Sequence, residues 1–375
     1  MTKIVERDIS GDQMWIHMGP QHPVTHGLWT FKIKTDGETI LDAECLIGYL
    51  HRTFEKLAEN RTYEQFVPIA DRLCYVANFS WEYGYVHTVE KAFGIADQIP
   101  ERAEYIRVIM LELQRIASHL VNIFAIGADA GVLTMLMYPM RDREYFLDLM
   151  EHAMGQRMMY NYNRIGGIAN ELPKGWVEDC YRLIDWIPDR LREYEQMFDD
   201  SKVYMMRMKD IGLLDPDYAM SMGVTGPALR GSGVKADVRK IEPYSVYEQF
   251  KFSIVTEEGR DNFARYRVRM NEIRESTKII RQALDELPGG PIKMERPPKR
   301  APSDTTCYSR IEDPRGEQAW YLVTKAKSDK PWRLKIRSPA FSNISVFPHL
   351  IRGGKLADIP MVIVSIDLCI GEIDR

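Results

Sequence analysis

The spacing of apolar side chains changes from a two-residue period to a helical period near residue 47. Apolar and polar residues alternate over residues 29–34 and again from Thr39, and Asp36-Gly37 lies between the two runs. Alternation is typical of a half-buried strand, and an Asp-Gly pair between two such runs indicates a hairpin. The sequence therefore predicts β-structure over residues 13–46.

Six longer segments have the periodicity or composition of amphipathic helices. They are residues 53–60, 80–93, 101–126, 141–161, 177–198 and 261–287. A short helical segment from Thr62 is expected to break at Pro68. The small residues 128–131 predict a turn that contains Asp129, and Gly166-Gly167 is expected to end the fourth helix.

The remaining segments predict loops, a linker and short strands. Residues 211–245 are rich in glycine, residues 291–304 are rich in Pro, Lys and Arg, and residues 319–324 and 332–336 have strand composition. The fold class is therefore expected to be α+β, mainly α. Four parts are expected: an amino-terminal β-rich domain (1–47), a helical body (48–290), a linker (291–304) and a carboxy-terminal β-containing segment (305–375).

Composition excludes several classes of function. A net charge of −4 and a pI near 6.1 provide no basic field for nucleic acid, so none is expected as a partner. The most apolar helical stretch, residues 108–126, contains Glu112, Arg115 and His119. A membrane span needs about 20 mostly apolar residues. We therefore expect a buried helix there, no signal peptide and no transmembrane segment.

The five cysteines are scattered, and no two have CxxC spacing. This argues against a disulfide framework and against a self-contained zinc or iron–sulfur site, and it favours a reducing compartment.

The segment from Gly19 to Gly27 is the most unusual local sequence. It reads GPQHPVTHG, so two prolines and two glycines surround His22 and His26. Proline fixes φ and glycine permits backbone angles that other residues avoid, which predicts a rigid turn. The histidines either bond to nearby carbonyls or perform chemistry near neutral pH. With His17, three histidines also allow a zinc hydrolase, which the prolines and the lack of a nearby Glu base disfavour.

Seven motifs together resemble one known family, the 49-kDa (D-subunit) family of complex I. They are GPQHPVTHG (19–27), IGYLHRTFEK (47–56), DRLCY (71–75), IRVIMLELQRIASH (106–119), NRIGG (163–167), LRGSG (229–233) and DLCIGEIDR (367–375). That family is related to the large subunit of nickel–iron hydrogenases. The resemblance implies their fold: an amino-terminal β-domain, a central helix bundle and a carboxy terminus that returns to the core.

The resemblance also implies partners and a place in the cell. The chain is expected to bind no cofactor alone, but to contact an iron–sulfur neighbour, the B subunit, which carries a [4Fe–4S] cluster. A lipid-soluble acceptor, quinone or methanophenazine, would bind between the two chains. The C subunit, membrane-arm subunits and an electron-input subunit complete such a complex. It would lie on the cytoplasmic side of the cell membrane, with this chain peripheral, and would couple electron transfer to ion translocation.

The family's site residues transfer by position. His26 and Tyr75 would hydrogen-bond the acceptor headgroup, and Asp129 would orient His26. Arg52 would lie near the partner's cluster. His22 and Met159 are also expected to be cofactor-binding residues. Reduction of a quinone-like ring needs protons as well as electrons, which Tyr and His can donate. A carboxylate behind a histidine fixes its tautomer.

The chain departs from the hydrogenase pattern at the metal ligands. The RxCGxC counterpart reads Arg72-Leu73-Cys74-Tyr75-Val76-Ala77, and in the terminal motif Cys369 is followed by Glu372 at the second ligand position. Two of the four thiolates are therefore missing. Two thiolates are too few for that cluster, so we expect no nickel and no metal.

Met159 and a short segment before Tyr308 point to a subfamily. Many family members carry a histidine where Met159 stands, and Met159 cannot titrate, so the cluster potential is expected to be lower and less dependent on pH. These features most resemble archaeal coenzyme F420H2 dehydrogenase, with methanophenazine as acceptor. The alternatives are an NADH- or ferredoxin-dependent quinone oxidoreductase, and a hydrogenase-derived scaffold subunit without a direct catalytic role.

Overall fold

A computed structural model describes residues 5–7, 13–20 and 27–375. Its first sheet is an antiparallel meander of four strands in sequence order. The strands are β1 (Val5–Arg7), β2 (Gln13–Met18), β3 (Thr30–Asp36) and β4 (Thr39–Leu46). The predicted hairpin at Asp36-Gly37 is confirmed, since Asp36 pairs with Thr39.

Fifteen α-helices occur among the described residues. The first seven are α1 (Phe54–Asn60), α2 (Tyr63–Ala70), α3 (Asn78–Phe93), α4 (Glu101–Ala130), α5 (Leu133–Met154), α6 (Trp176–Asp199) and α7 (Lys202–Met208). The other eight are α8 (Pro216–Ser221), α9 (Pro227–Arg230), α10 (Val238–Ile241), α11 (Asn262–Asp285), α12 (Pro339–Ile344), α13 (Phe347–Ile351), α14 (Ile359–Ile366) and α15 (Ile370–Asp374). The mainly helical α+β class is confirmed, whereas the four domain boundaries stay predictions.

Two smaller sheets complete the fold. A two-stranded pair comprises β5 (Asn163–Arg164) and β6 (Gly167–Ile168), and a three-stranded antiparallel sheet comprises β7 (Thr305–Asp313), β8 (Gly316–Thr324) and β9 (Arg333–Arg337). The sequence predicted β8 and β9 but not β7.

Several predicted boundaries were wrong, and glycine explains two of them. α4 continues through residues 128–130 and ends at Gly131, so Asp129 lies in its last turn and not in a separate turn. α5 ends at Gly155 rather than at Gly166-Gly167. Both Gly131 and Gly155 adopt left-handed φ angles, 78° and 80°, which glycine does without a Cβ penalty.

Pro68 does not end α2, which continues to Ala70. The Thr62 side chain accepts a bond from the Gln65 backbone, and the Gln65 side chain accepts one from the Thr62 backbone, so a capping box fixes the start of the helix. Because proline has no N–H group, Pro68 removes a single helical hydrogen bond, the one to the Glu64 carbonyl. Glu64 is exposed.

Helix α4 is the centre of the structure. By length and composition α4 could span a membrane, yet 83% of its most apolar window is buried within the fold. Helices α5, α11 and α14 pack against it. Gly127 permits the close contact with α5, because a Cβ there would lie 2.7 Å from the Met135 backbone.

Buried charged groups join α4 to its neighbours. Glu112 accepts bonds from Arg239 at 3.0 Å and from the Tyr247 hydroxyl at 2.6 Å. Further along, Glu272 of α11 accepts bonds from His119 at 2.9 Å and from Arg230 at 2.7 Å. These charges are compensated within the core, so removal of one partner leaves the other charge buried without compensation.

Replacement of Glu272 tests this network. Glu272→Ala leaves Arg230 with fewer counter-charges and His119 without its acceptor, so the free energy of unfolding should fall by about 3–5 kcal/mol. The exposed Glu286, just after the same helix, gives the control variant Glu286→Ala. Thermal denaturation of the purified protein, followed by circular dichroism, measures the difference. Equal midpoints for the two variants would contradict the proposed role of the network.

Candidate functional site

Tyr75 is presented by a short irregular segment between α2 and α3. Asp71–Leu73 forms one 3-10 turn, and Cys74 follows in an extended conformation. Leu73 and Cys74 are buried, while Tyr75 is 51% exposed. Burial is the main cause that raises the pKa of Tyr75 to about 12. The hydroxyl is therefore protonated at neutral pH and can donate a hydrogen bond.

Arg143 is a candidate residue that sequence analysis missed. It lies on α5, is 5% exposed, and forms no salt bridge with a carboxylate among the residues that the structure describes. Burial lowers its pKa, and Tyr160, Glu144 and Tyr75 are close enough to oppose that shift. Arg141-Asp142-Arg143 is a run of charged residues, which in sequence is typical of solvent-exposed positions, so no signal indicated this residue.

The loop that carries Met159 is fixed to the Tyr75 segment. Met159 is half-buried and has a left-handed φ of 60°. Two residues later, the Asn161 backbone N–H donates to Asp71 Oδ2 at 2.9 Å. The structure therefore joins the segments of two predicted site residues, Tyr75 and Met159.

Asp71 faces a second buried carboxyl group, Glu82 of α3. Burial raises the pKa of Asp71 to about 6, and burial together with the neighbouring Asp71 raises the pKa of Glu82 well above its usual value. Glu82 also accepts a bond from the Asn163 backbone N–H. Two buried carboxyl groups that face each other share one proton at neutral pH. The pair thus anchors both ends of residues 161–163.

The loop that carries Arg52 is fixed by the end of the chain. Asp374 accepts bonds from the Gly48 and Leu50 backbone N–H groups at 2.9 and 2.7 Å, and its carbonyl accepts one from His51 Nδ1 at 2.7 Å. Arg52 itself is exposed. Since α15 also packs against the 3-10 turn at Asp71–Leu73, one terminal helix positions the segments of Arg52 and Tyr75.

Asp129 and His17 lie on elements different from these loops. Asp129 is half-buried in the last turn of α4, and its carbonyl accepts a bond from Arg207 Nη1 at 2.6 Å. His22 and His26 lie outside the described residues, so their predicted roles stay predictions. His17 lies on β2 opposite Lys32 and is half-buried.

Two cysteines that are far apart in sequence lie close together in the core. Cys74, Cys369 and Glu372 are buried, and their potential ligand atoms all lie within 4.8 Å of one another. Arg315 Nη1 donates to Cys74 Sγ at 3.3 Å. The scattered cysteine spacing did not indicate this cluster, although the match of two motifs to hydrogenase ligand positions did.

Comparisons with known proteins show the family of this chain. The family model for the 49-kDa subunit of respiratory-chain NADH dehydrogenase matches residues 129–307 and 298–375. The D subunit of NADH-quinone oxidoreductase from Desulforamulus reducens is 42% identical over 366 residues, 98% of this chain and 99% of that protein. The corresponding protein of Dehalococcoides mccartyi is 43% identical over 368 residues, 98% of this chain and 100% of that protein.

A chloroplast protein matches equally well. The H subunit of NAD(P)H-quinone oxidoreductase from Mesostigma viride is 42% identical over 388 residues, 97% of this chain and 98% of that protein. Fold and matches together define a subunit of a complex I-type oxidoreductase. The chain belongs to the 49-kDa subunit family of respiratory NADH dehydrogenase.

Replacement of Glu82 tests the carboxyl pair. An acid whose pKa is higher in the folded protein than in the unfolded chain destabilises the fold as the pH rises from the unfolded-state pKa to the folded-state pKa. Residues 161–163 should therefore loosen above about pH 4. Glu82→Gln keeps an acceptor for the bond from Asn163, and the pair then no longer has to take up a proton when the chain folds. Protection of these amides at pH 7 should rise about tenfold, which corresponds to ~1.4 kcal/mol.

Hydrogen exchange of the assembled complex, corrected for intrinsic rates, measures that protection. Glu64→Gln is the matched control, because Glu64 is exposed on the neighbouring helix α2. Unchanged protection in Glu82→Gln, or the same increase in the control, would contradict a shared proton.

Proposed function

We propose that this chain forms, together with an iron–sulfur partner, the site at which a lipid-soluble quinone is reduced. The observation that carries the proposal is a half-exposed, protonated Tyr75 that lies near enough to the buried Arg143 to oppose the lowering of the Arg143 pKa by burial. A protonated hydroxyl and a cation without a salt bridge among the described residues suit an acceptor oxygen that gains negative charge. The relatives' names, which specify quinone, support this choice of acceptor.

The roles of the chain's own residues follow from their chemistry. Tyr75 would donate a hydrogen bond to one carbonyl of the acceptor, and His26, oriented by Asp129, would bond the other. Arg143 would favour the negative charge that develops on the ring oxygen. A [4Fe–4S] cluster in the partner would supply electrons one at a time. His22, Met159 and Arg52 would line the approach to that cluster.

The loop after β4 is the proposed contact surface for that partner, the iron–sulfur B subunit. Leu46, the last residue of β4, is 40% exposed, and Ile47 and Tyr49 on the loop are 38% and 57% exposed. Arg52 follows them on the same loop. Exposed apolar side chains beside an arginine are typical of protein interfaces. The C subunit, membrane-arm subunits and an electron-input subunit are further proposed partners. The complex would lie at the cytoplasmic side of the membrane and translocate ions.

Tyr75→Phe tests the catalytic assignment. The variant keeps the ring and loses the hydroxyl, so acceptor reduction should fall at least about tenfold while the complex assembles normally. Tyr308→Phe is the matched control, since Tyr308 is 52% exposed and lies on β7. Quinone reduction by purified complex, with cluster reduction monitored separately, gives the result. Full turnover in Tyr75→Phe would instead favour a scaffold subunit without a catalytic role.

Arg143→Met tests the second group. Methionine fills similar space without charge, so kcat for acceptor reduction should fall at least about tenfold. This fold-change in kcat should be larger than any fold-change in KM. Arg182→Met on the neighbouring helix α6 is the control, because Arg182 is 78% exposed and its partner Asp179 also lies at the surface. Equal kinetics in the two variants would remove Arg143 from the proposed site.

A finer proposal concerns the electron donor and rests on Met159 and the short segment before Tyr308. Those two features favour F420H2 as donor and methanophenazine as acceptor, as in archaeal F420H2 dehydrogenase. The names of the bacterial and chloroplast relatives favour NADH or NAD(P)H with quinone. The core site of Tyr75 and Arg143 serves either pair, since quinones and phenazines both accept hydrogen bonds.

Activity measured with each electron donor in turn distinguishes the F420H2 assignment from the NADH and ferredoxin assignments. Native membranes that contain the complex are given F420H2, NADH or reduced ferredoxin, and acceptor reduction is recorded for each. The F420H2 proposal requires activity with F420H2 alone. Activity with NADH or ferredoxin would exclude that donor assignment and leave the roles of Tyr75 and Arg143 unchanged.

A further inference from the structure

The buried group of Cys74, Cys369 and Glu372 has the geometry of a metal site. All three residues are buried, and one potential ligand atom from each lies within 4.8 Å of the other two. Zinc–sulfur bonds of about 2.3 Å in a tetrahedron place two sulfur atoms about 3.8 Å apart, so little movement is needed to close such a site.

Only one of the two carboxylate oxygens of Glu372 accepts hydrogen bonds from the described residues. Its Oε1 atom accepts bonds from the Ser338 hydroxyl and the Ala340 backbone N–H, both at 3.1 Å. Its Oε2 atom is buried and has no hydrogen-bond partner among the described residues. A buried carboxylate oxygen without a partner costs free energy, and ligation of a cation would remove that cost. The two hydrogen bonds to Oε1 also fix the orientation of Glu372, in the way that hydrogen bonds from surrounding residues orient metal ligands.

The surrounding charges suit a bound dication. Two thiolates and one carboxylate with a divalent ion carry a net charge of −1. Arg315 lies against this group, 3.3 Å from Cys74 Sγ, and also donates to Asp367 at 3.3 Å. Its guanidinium therefore lies between the negative site and Asp367 and interacts favourably with both. Without a metal the same pocket holds two thiols and a carboxyl group whose second oxygen is unused by the described residues.

We propose that Cys74, Cys369 and Glu372 bind one divalent thiophilic metal ion, with zinc as the best fit. Zinc accepts sulfur and oxygen ligands in a tetrahedron, and a water or small ligand would fill the fourth position. The ion would tie the Tyr75 segment to helix α15 at the carboxy terminus. This inference stands independently of the proposed function, because it concerns the core behind Tyr75 and not the acceptor.

Metal analysis of the purified complex tests the proposal. The wild-type complex should lose about one zinc per complex when Cys369→Ser or Glu372→Gln is introduced. Cys180→Ser is the matched control, because Cys180 is an equally buried free cysteine on α6. Zinc-edge X-ray absorption of the wild-type complex should show sulfur and oxygen scatterers that are reduced in the Cys369→Ser difference spectrum.

Three results would overturn the proposal. One is an equal zinc content in wild type, Cys369→Ser and Cys180→Ser. Another is a Cys74–Cys369 disulfide in the native complex, detected by mass spectrometry of peptides prepared without reductant. The last needs no variant and so holds even if the substitutions prevent assembly: a wild-type complex with less than about 0.1 zinc per complex would exclude the site.

Discussion

The pairing of buried carboxylates with arginines around helix α4 is the interaction on which the structure depends. Burial alone would raise the pKa of Glu112, yet Arg239 and Arg115 hold it below its usual value. The Arg230 guanidinium similarly lowers the pKa of Glu272 against the effect of burial. Such pairs are favourable only in a fixed geometry, so they select one arrangement of α4, α10 and α11.

The candidate site is built on that fixed frame through contacts distant in sequence. Asp71 holds the Met159 loop through the Asn161 backbone, and Asp374 holds the loop that carries Arg52. Helix α15 packs against the Asp71–Leu73 turn that precedes Tyr75. Tyr75, Met159 and Arg52 are thus exposed or half-buried, while the groups that position them are buried. A rigid support under a partly exposed tyrosine suits reversible binding of a ligand at an interface.

Sequence patterns predicted the parts of the fold that local rules determine. The hairpin at Asp36-Gly37 and helices α6 and α11 follow from period and turn chemistry alone. The start of α5 was missed because Pro139 and a run of methionines conceal its periodicity. Strand β7 was missed because its pairing with β8 determines its conformation.

The candidate site was predictable only in part, for the same reason. Long motifs identified Tyr75, Arg52 and Met159 through resemblance to a family. Arg143 has no distinctive sequence context, and its character comes from burial and from the tyrosines around it. The approach of Cys74 to Cys369 likewise depends on the path of the whole chain. Groups whose chemistry arises from tertiary surroundings leave little trace in a local pattern.

Photoaffinity labelling tests the central claim, that the acceptor binds beside Tyr75, most directly. The complex would be illuminated with an azido-substituted quinone, and labelled peptides would be mapped by mass spectrometry. The account predicts labels in residues 71–76 and 143–160, and predicts that excess unmodified quinone suppresses them. Labels confined to other parts of this chain, or found only in other subunits, would contradict it.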